Sequence, residues 1–185
     1  MGETKGKTDS QTLLRVARHE AGHCLIGWLR DEKPVQITIV ARGKAGGFVE
    51  REEDENRMIY SKQELEGMIR QAMGGRAGEL LYYGEDDGLT TGVSGDLKTA
   101  THYAGMMVRD YGMGEGIGPV AIDPGRLGDG PLAIKVMESI EKIVKEQLDL
   151  AVMELRNHRA VMDSLVTNLM EKNRLTRIEL EGILP

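Results

Sequence analysis

Two histidines four residues apart with a glutamate after the first, His19-Glu20-Ala21-Gly22-His23, carry the clearest chemical signal in this chain of 185 residues. On an α-helix, residues i and i+4 share a face, so both imidazoles can reach one metal ion. Glu20 sits beside the first of them, where its carboxylate can contact a water on the ion without ligating it. Zinc lowers the pKa of such a water to about 7 and polarises a peptide carbonyl. A neighbouring carboxylate can then take the water's proton and pass it to the leaving amine. The chemistry implied is peptide hydrolysis without a covalent enzyme intermediate. An HExxH pentapeptide also arises by chance, with both histidines as ordinary surface residues. Against that reading stand the amphipathic segment around it and the scarcity of histidine, two of only four forming this pair. His102 and His158 have no comparable partner. A helix face suits the first, and a capping or surface place between two helices suits the second.

A catalytic zinc takes three protein ligands and keeps one position for water. By residue type the third ligand lies among Glu50, Glu52, Glu79, Asp86, Asp87 and Asp96, and spacing alone does not choose between them. Glu50 and Glu52 belong to a charged run that reads as a solvated loop, and Asp86 and Asp87 read as loop carboxylates. Asp96 stands at a predicted helix start, where a carboxylate caps free amides or complements the helix dipole.

The elements that must position these groups can be read from periodicity and stop signals. Leu13, Leu14, Ala17, Ala21, Cys24, Leu25 and Trp28 recur at helical spacing and predict a helix over 10–29, capped by Asp9 or Ser10. The alternating, β-branched run 36–41 predicts a strand, Gly43, Gly46 and Gly47 a turn, and 48–51 a returning strand. Residues 50–57 predict a charged loop. Ser61-Lys62-Gln63-Glu64 is a capping box opening a helix to Tyr83, with Gly84 as its stop. Gly74-Gly75 inside it costs helix stability and points to close backbone packing or a kink. A loop over 84–95 precedes a helix from Gly95 or Asp96 to Tyr111, with Gly112 as its stop. Residues 112–131 are rich in glycine and predict loop with a short strand over 120–122. Two long helices, 132–157 and 159–172, follow. Thr176-Arg177-Ile178-Glu179 is a second capping box that opens a last short helix. Ile134, Met137, Ile140, Val144, Leu148 and Ala151 form an apolar stripe expected to face the core. The expected fold is mainly α (α+β), with a helical HExxH domain over 10–185, a small sheet in its N-terminal half and a polar, flexible tail over 1–9.

Composition narrows the function further. The chain carries a net charge of −6 and a sequence pI near 5.3, with no basic stripe, so nucleic acid is a poor partner. Its single cysteine, Cys24, excludes an internal disulfide and a cysteine-rich zinc site. No run of 18 apolar residues predicts a membrane span, and no signal peptide opens the chain. A cytoplasmic location is expected. Methionine is frequent and aromatics are scarce, which suits gap-filling between helices.

Taken together and in order, several segments resemble the peptidase domain of the FtsH family, membrane-anchored AAA+ metalloproteases. They are HEAGH at 19–23, ARG at 41–43, GGRAGELLYYG at 74–84, TTGVSGDLKTAT at 90–101, MMVRDYGMGEGIGPVA at 106–121 and NRLTRIELEGIL at 173–184. The resemblance spans about residues 12–184. It implies one Zn2+ per chain held by His19, His23 and Asp96, with Glu20 as catalytic base. It implies Glu79 as a carboxylate that orients a ligand histidine, with the surface of a helix as the alternative, and Thr90, Thr91 and Gly92 as a loop shaping the site. It further implies an unfolded polypeptide lying extended along the edge of the small sheet, by Ile37, Thr38 and Ile39 or by Gly47 and Phe48. The family's assembly is a homo-hexamer beneath an AAA+ ATPase ring, so ATP would enter only through an ATPase domain, in cis or in trans. In a membrane-anchored full-length protein this domain would face the cytoplasm. The chain shows neither a Walker A motif nor a membrane helix, which leaves a segment of a longer protease and a stand-alone relative both open. Gly95 stands where the family usually has Asn, and Gly78 and Leu80 flank Glu79 where it usually has Ala and Glu. Two other readings remain: a non-catalytic zinc-containing assembly or substrate-binding module of the same fold, and a different HExxH peptidase with a glutamate ligand.

Overall fold

A computed structural model describes residues 9–40, 46–51 and 59–185. Helix α1 (Ser10–Trp28) opens with Asp9 accepting from the Thr12 amide at 2.7 Å, which satisfies one of the free N–H groups of the first turn. Three short strands, β1 (Gln36–Thr38), β2 (Phe48–Glu50) and β3 (Arg174–Thr176), form one antiparallel sheet in the order β2-β1-β3. Ile37 is paired with Val49 on one side and Leu175 on the other. The Ser61–Glu64 capping box starts α2 (Lys62–Ala72), and α3 (Gly74–Gly88), α4 (Ser94–Arg109), α5 (Pro131–Asn157), α6 (Arg159–Lys172) and α7 (Arg177–Glu181) follow. No helix among the described residues is long and apolar enough to cross a membrane. The mainly α fold with a small sheet is the one the periodicity predicts.

The interior has two apolar clusters. One gathers Ala17, Ala21, Leu25 and Ile26 of α1 with Ile37, Leu165, Leu169, Leu175 and Leu180. The other joins Leu65, Ile69 and Met73 to Ala100, Ala104 and Met107 of α4. Helix α5 serves both, with Val136, Ile140 and Ile143 in the second cluster and Ala151 and Leu155 in the first. Its buried stripe therefore departs from the predicted one at the N-terminal end. Ile134 and Met137 are 58% and 57% exposed, because the helix turns Val136 rather than its neighbours to the core.

Helix α1 and helix α3 touch through glycine. A Cβ on Gly22 would fall 2.1 Å from the Gly74 carbonyl oxygen, and one on Gly78 would fall 2.3 Å from that of Arg18. No side chain larger than hydrogen lets the two backbones approach this closely. The single helix expected over 61–83 is accordingly two, broken at Met73 just before the glycine pair. Gly84 does end the regular part of α3, at φ +70°, in the left-handed region where glycine carries no Cβ penalty. One more helical turn lies beyond it, where a loop is expected.

Two other expectations are corrected, and one strand is new. No strand forms over 120–122; the Ile122 amide instead donates to the Arg109 carbonyl at 2.7 Å and closes the end of α4. Strand β3 has too short a local pattern to announce itself and exists through its pairing with β1, more than a hundred residues away. Strand β1 ends at Thr38, short of the predicted Ala41. Ala41, the ARG segment and the Gly43 part of the turn lie outside the described residues, as do Glu52 with most of the charged loop and all of the expected N-terminal tail except Asp9.

Gly22→Ala is expected to destabilise the fold by about 1–3 kcal/mol or more, the usual cost of overpacking, read as a lower Tm in thermal unfolding. A second expectation concerns Glu179, whose carboxyl pKa is lowered to about 2 by Lys172 and by the Thr176 amide and hydroxyl. A folded pKa below the unfolded value of about 4.3 adds stability above the latter and loses it as pH falls through the former. Glu179→Gln should lower Tm at pH 7, and its difference from the parent should vanish between about pH 4.3 and pH 2.

Candidate metal centre

Three side chains converge where α1, α3 and α4 meet. His19 and His23 lie one turn apart on α1, with their Nε2 atoms 3.2 Å apart. Asp96, in the first turn of α4, places Oδ2 3.2 Å from each of those nitrogens. The preceding 3-10 turn, Thr91–Val93, buries Val93 and so aims this helix start at α1. Gly75 provides the floor. A Cβ there would sit 2.4 Å from His19 Nε2 and 2.5 Å from His23 Nε2, so the rings can lie over the start of α3 only because that residue is glycine.

The far nitrogens of both rings are held. His23 Nδ1 meets the Gln71 carbonyl, in the last turn of α2, at 2.9 Å. A carbonyl only accepts, so Nδ1 carries the proton and Nε2 presents a lone pair. His19 Nδ1 donates to Glu79 Oε1 at 2.9 Å. Glu79 is 2% exposed, so it is not a helix-surface carboxylate; it also accepts from the Thr90 hydroxyl at 3.2 Å and faces Arg15 Nη1 at 3.4 Å. Arg15 stacks over the Tyr83 ring and donates to the Asp87 carbonyl at 2.5 Å, which ties the end of α3 back to α1.

With both rings neutral, two nitrogen lone pairs and a carboxylate oxygen point at one another, a repulsive arrangement that a cation resolves. Tetrahedral zinc ligands at about 2.0–2.1 Å from the ion stand about 3.3 Å from each other, close to the spacing here. The electrostatics agree. Burial opposes charge on His19, but hydrogen bonds to Asp96 and Glu79 outweigh it and push its pKa up to about 10. Burial also opposes charge on Asp96, yet His19 and His23 hold its carboxyl far below the usual range. The pocket thus favours positive charge, and among the described residues these three are the group of His, Cys, Asp and Glu donors close enough to share one ion.

Of the other carboxylates, Glu50 hydrogen-bonds Gln36 at the sheet, and Asp86 and Asp87 are exposed beyond Gly84. Glu20 is buried beside the pair, with its pKa raised by that burial against the opposing pull of His23 and His19. Its side chain lies against Gly47, where a Cβ would meet Cγ at 2.8 Å and Oε1 at 3.0 Å.

The chain matches the model of peptidase family M41 over residues 7–183. It belongs to that family. Among curated M41-type relatives it is 35% identical to the ATP-dependent zinc metalloprotease FtsH 3 of Synechocystis sp., over 91% of this chain and 30% of that protein. It is 36% identical to the chloroplastic ATP-dependent zinc metalloprotease FTSH 6 of Arabidopsis thaliana, over 95% of this chain and 28% of that protein. A third, FtsH of Corynebacterium glutamicum, is 37% identical over 96% of this chain and 22% of that protein. The M41 chain therefore spans less than a third of the length of these relatives.

The sheet sites expected for substrate divide. Ile37 and Thr38 lie in the central strand, whose two sides are taken by β2 and β3, so they offer no edge; Ile39 is buried, and its amide donates to the Asn173 carbonyl at 3.0 Å. Gly47 and Phe48 lie at the edge strand β2, and Gly47 adjoins Glu20. Thr90 reaches Glu79, while Thr91 and Gly92 form the turn behind Asp96. His102 is exposed on α4, and His158 joins α5 to α6 with Nδ1 donating to the Glu154 carbonyl at 2.9 Å. Arg15, the Gln71 carbonyl and Arg51 are not among the sequence expectations, and of these only Arg15 had a local signal, standing four residues before His19 on the same helix face; Gly75 is expected as a place of close packing, but not as the floor of the site.

Gly75→Ala is expected to push the imidazoles apart and lower zinc affinity about 10- to 100-fold, the range seen when a support of metal ligands is lost. Metal titration followed by circular dichroism checks it: weaker zinc uptake with unchanged helicity.

Proposed function

We propose that this chain is a zinc metalloendopeptidase unit that hydrolyses peptide bonds of extended, unfolded polypeptides. The observation that carries the reading is the 3.2 Å triangle of His19, His23 and Asp96, with Glu20 next to the first histidine, buried, and its side chain against Gly47 just before the edge strand. Zinc bound there would supply Lewis acidity to polarise the peptide carbonyl and acidify water. The chain's own groups supply the rest. Glu20, raised in pKa by burial, is suited to accept a proton from the attacking water and return it to the amine nitrogen as the C–N bond breaks. Glu79 and the Gln71 carbonyl fix both rings with the lone pairs of Nε2 inward, so the ligands need no reorientation. Strand β2 offers a backbone edge on which a peptide can pair without regard to most of its side chains, and Gly47 keeps that edge against Glu20.

A zinc site that only supports structure closes its fourth position with protein. Among the described residues three donors converge here, which favours a catalytic role over a binding module. In a full protein of the relatives' kind, the unit would act within a homo-hexamer fed by an AAA+ ATPase ring, with ATP consumed there and the peptidase facing the cytoplasm. By itself it would cleave loose peptides and leave folded proteins intact.

Glu20→Gln should keep one zinc per chain and lose about 10²–10⁴-fold in peptide cleavage, the range for a general base. Metal analysis alongside a quenched fluorescent peptide assay decides it, and unaltered cleavage would remove Glu20 from its role.

A further inference from the structure

Strand β2 is three residues long, pairs with β1 alone among the described residues, and in the peptidase reading must hold a substrate edge at a set distance from Glu20. Arg51 follows it directly. Its Nη2 donates to the main-chain carbonyl of His23 at 3.0 Å, in the middle of α1 and on the residue that carries the second imidazole. The guanidinium seats over Gly27, where a Cβ would stand 3.1 Å from Nη2, and beside the Gln71 amide, 2.6 Å from the same point. Gln71 is also the residue whose carbonyl orients His23. Burial works against the charge on Arg51, and Glu32, Cys24 and Glu20 work for it. An arginine that is half-buried and donates to a backbone carbonyl of another element holds two segments of chain in register.

We propose that Arg51 is a positioning residue for substrate: it latches the edge strand β2 to the catalytic helix through the His23 carbonyl and so sets where a bound peptide lies relative to Glu20. The latch rests on the peptidase reading above for its consequence, though not for its geometry. Strand β2 is otherwise held by its pairing with β1 and by Val49 packed on the first cluster, and the Arg51 contact adds the polar tie to α1; without that tie the edge shifts relative to the site, while the metal ligands keep their supports in α2, α3 and α4.

The test compares the parent with Arg51→Met and Arg51→Lys by zinc content, backbone amide exchange over residues 46–51, and steady-state cleavage of an extended fluorogenic peptide. Arg51→Met should retain one zinc per chain, exchange β2 amides about tenfold faster, and raise KM about tenfold with kcat within about threefold. Arg51→Lys keeps a donor in reach of the carbonyl and should recover at least half of the KM change. Unaltered exchange with KM within twofold would overturn the latch, as would a fall in kcat alone or a lysine variant no better than methionine. Should Arg51→Met not fold, Arg51→Gln, shorter and uncharged, serves instead; raised KM with zinc retained supports the latch and unchanged KM overturns it. If the zinc-loaded parent cleaves no peptide, the peptidase reading fails, while the exchange measurement still decides whether Arg51 holds β2.

Discussion

The contact on which the rest depends is the meeting of α1 and α3 backbone to backbone. Gly22, Gly74 and Gly78 leave no side-chain volume between the helices, and Gly75 extends the same cleared surface beneath the two imidazoles. Interiors are close-packed, so a single added methyl at such a place has nowhere to go. The glycines weaken their own helix, and the break at Met73 follows from them. The Gln71 carbonyl that meets His23 lies in the turn just before that break. One packing constraint thus underlies the kink and the floor of the pocket.

The donors come from both apolar clusters. His19 and His23 belong to the helix at the centre of one, and Asp96 starts the helix that packs into the other. Helix α5 runs through both clusters and keeps them in one relative position. The pocket therefore sits at a seam between two cores, where a polar group can be held firmly and still meet solvent on one side. The chain Arg15–Glu79–His19 ties α1 to α3, the two helices that line the first cluster beside the pocket, since Glu79 and Asp87 are on α3 and Arg15 is on α1. Glu79 is tolerated as a buried carboxylate because His19, Thr90 and Arg15 pair with it, and losing those partners would be strongly destabilising.

Sequence by itself determined what local rules govern. The HExxH spacing sets two imidazoles on one helix face whatever surrounds it. The capping boxes at Ser61 and Thr176 and the stops at Gly84 and Gly112 act within a few residues, and all stand where their residue types place them. Family resemblance chose Asp96 from six carboxylates, a choice that spacing could not make. Tertiary structure alone decided which strand is central, because β3 exists only by pairing with β1 from the far end of the chain. It decided that Ile37 and Thr38 are enclosed while β2 is an edge, that α5 turns Val136 inward and Ile134 outward, and that Arg51 reaches the His23 carbonyl. Periodicity reports which residues of one element share a face; which face meets which neighbour depends on contacts between segments far apart in sequence, and those are set by packing the whole chain at once.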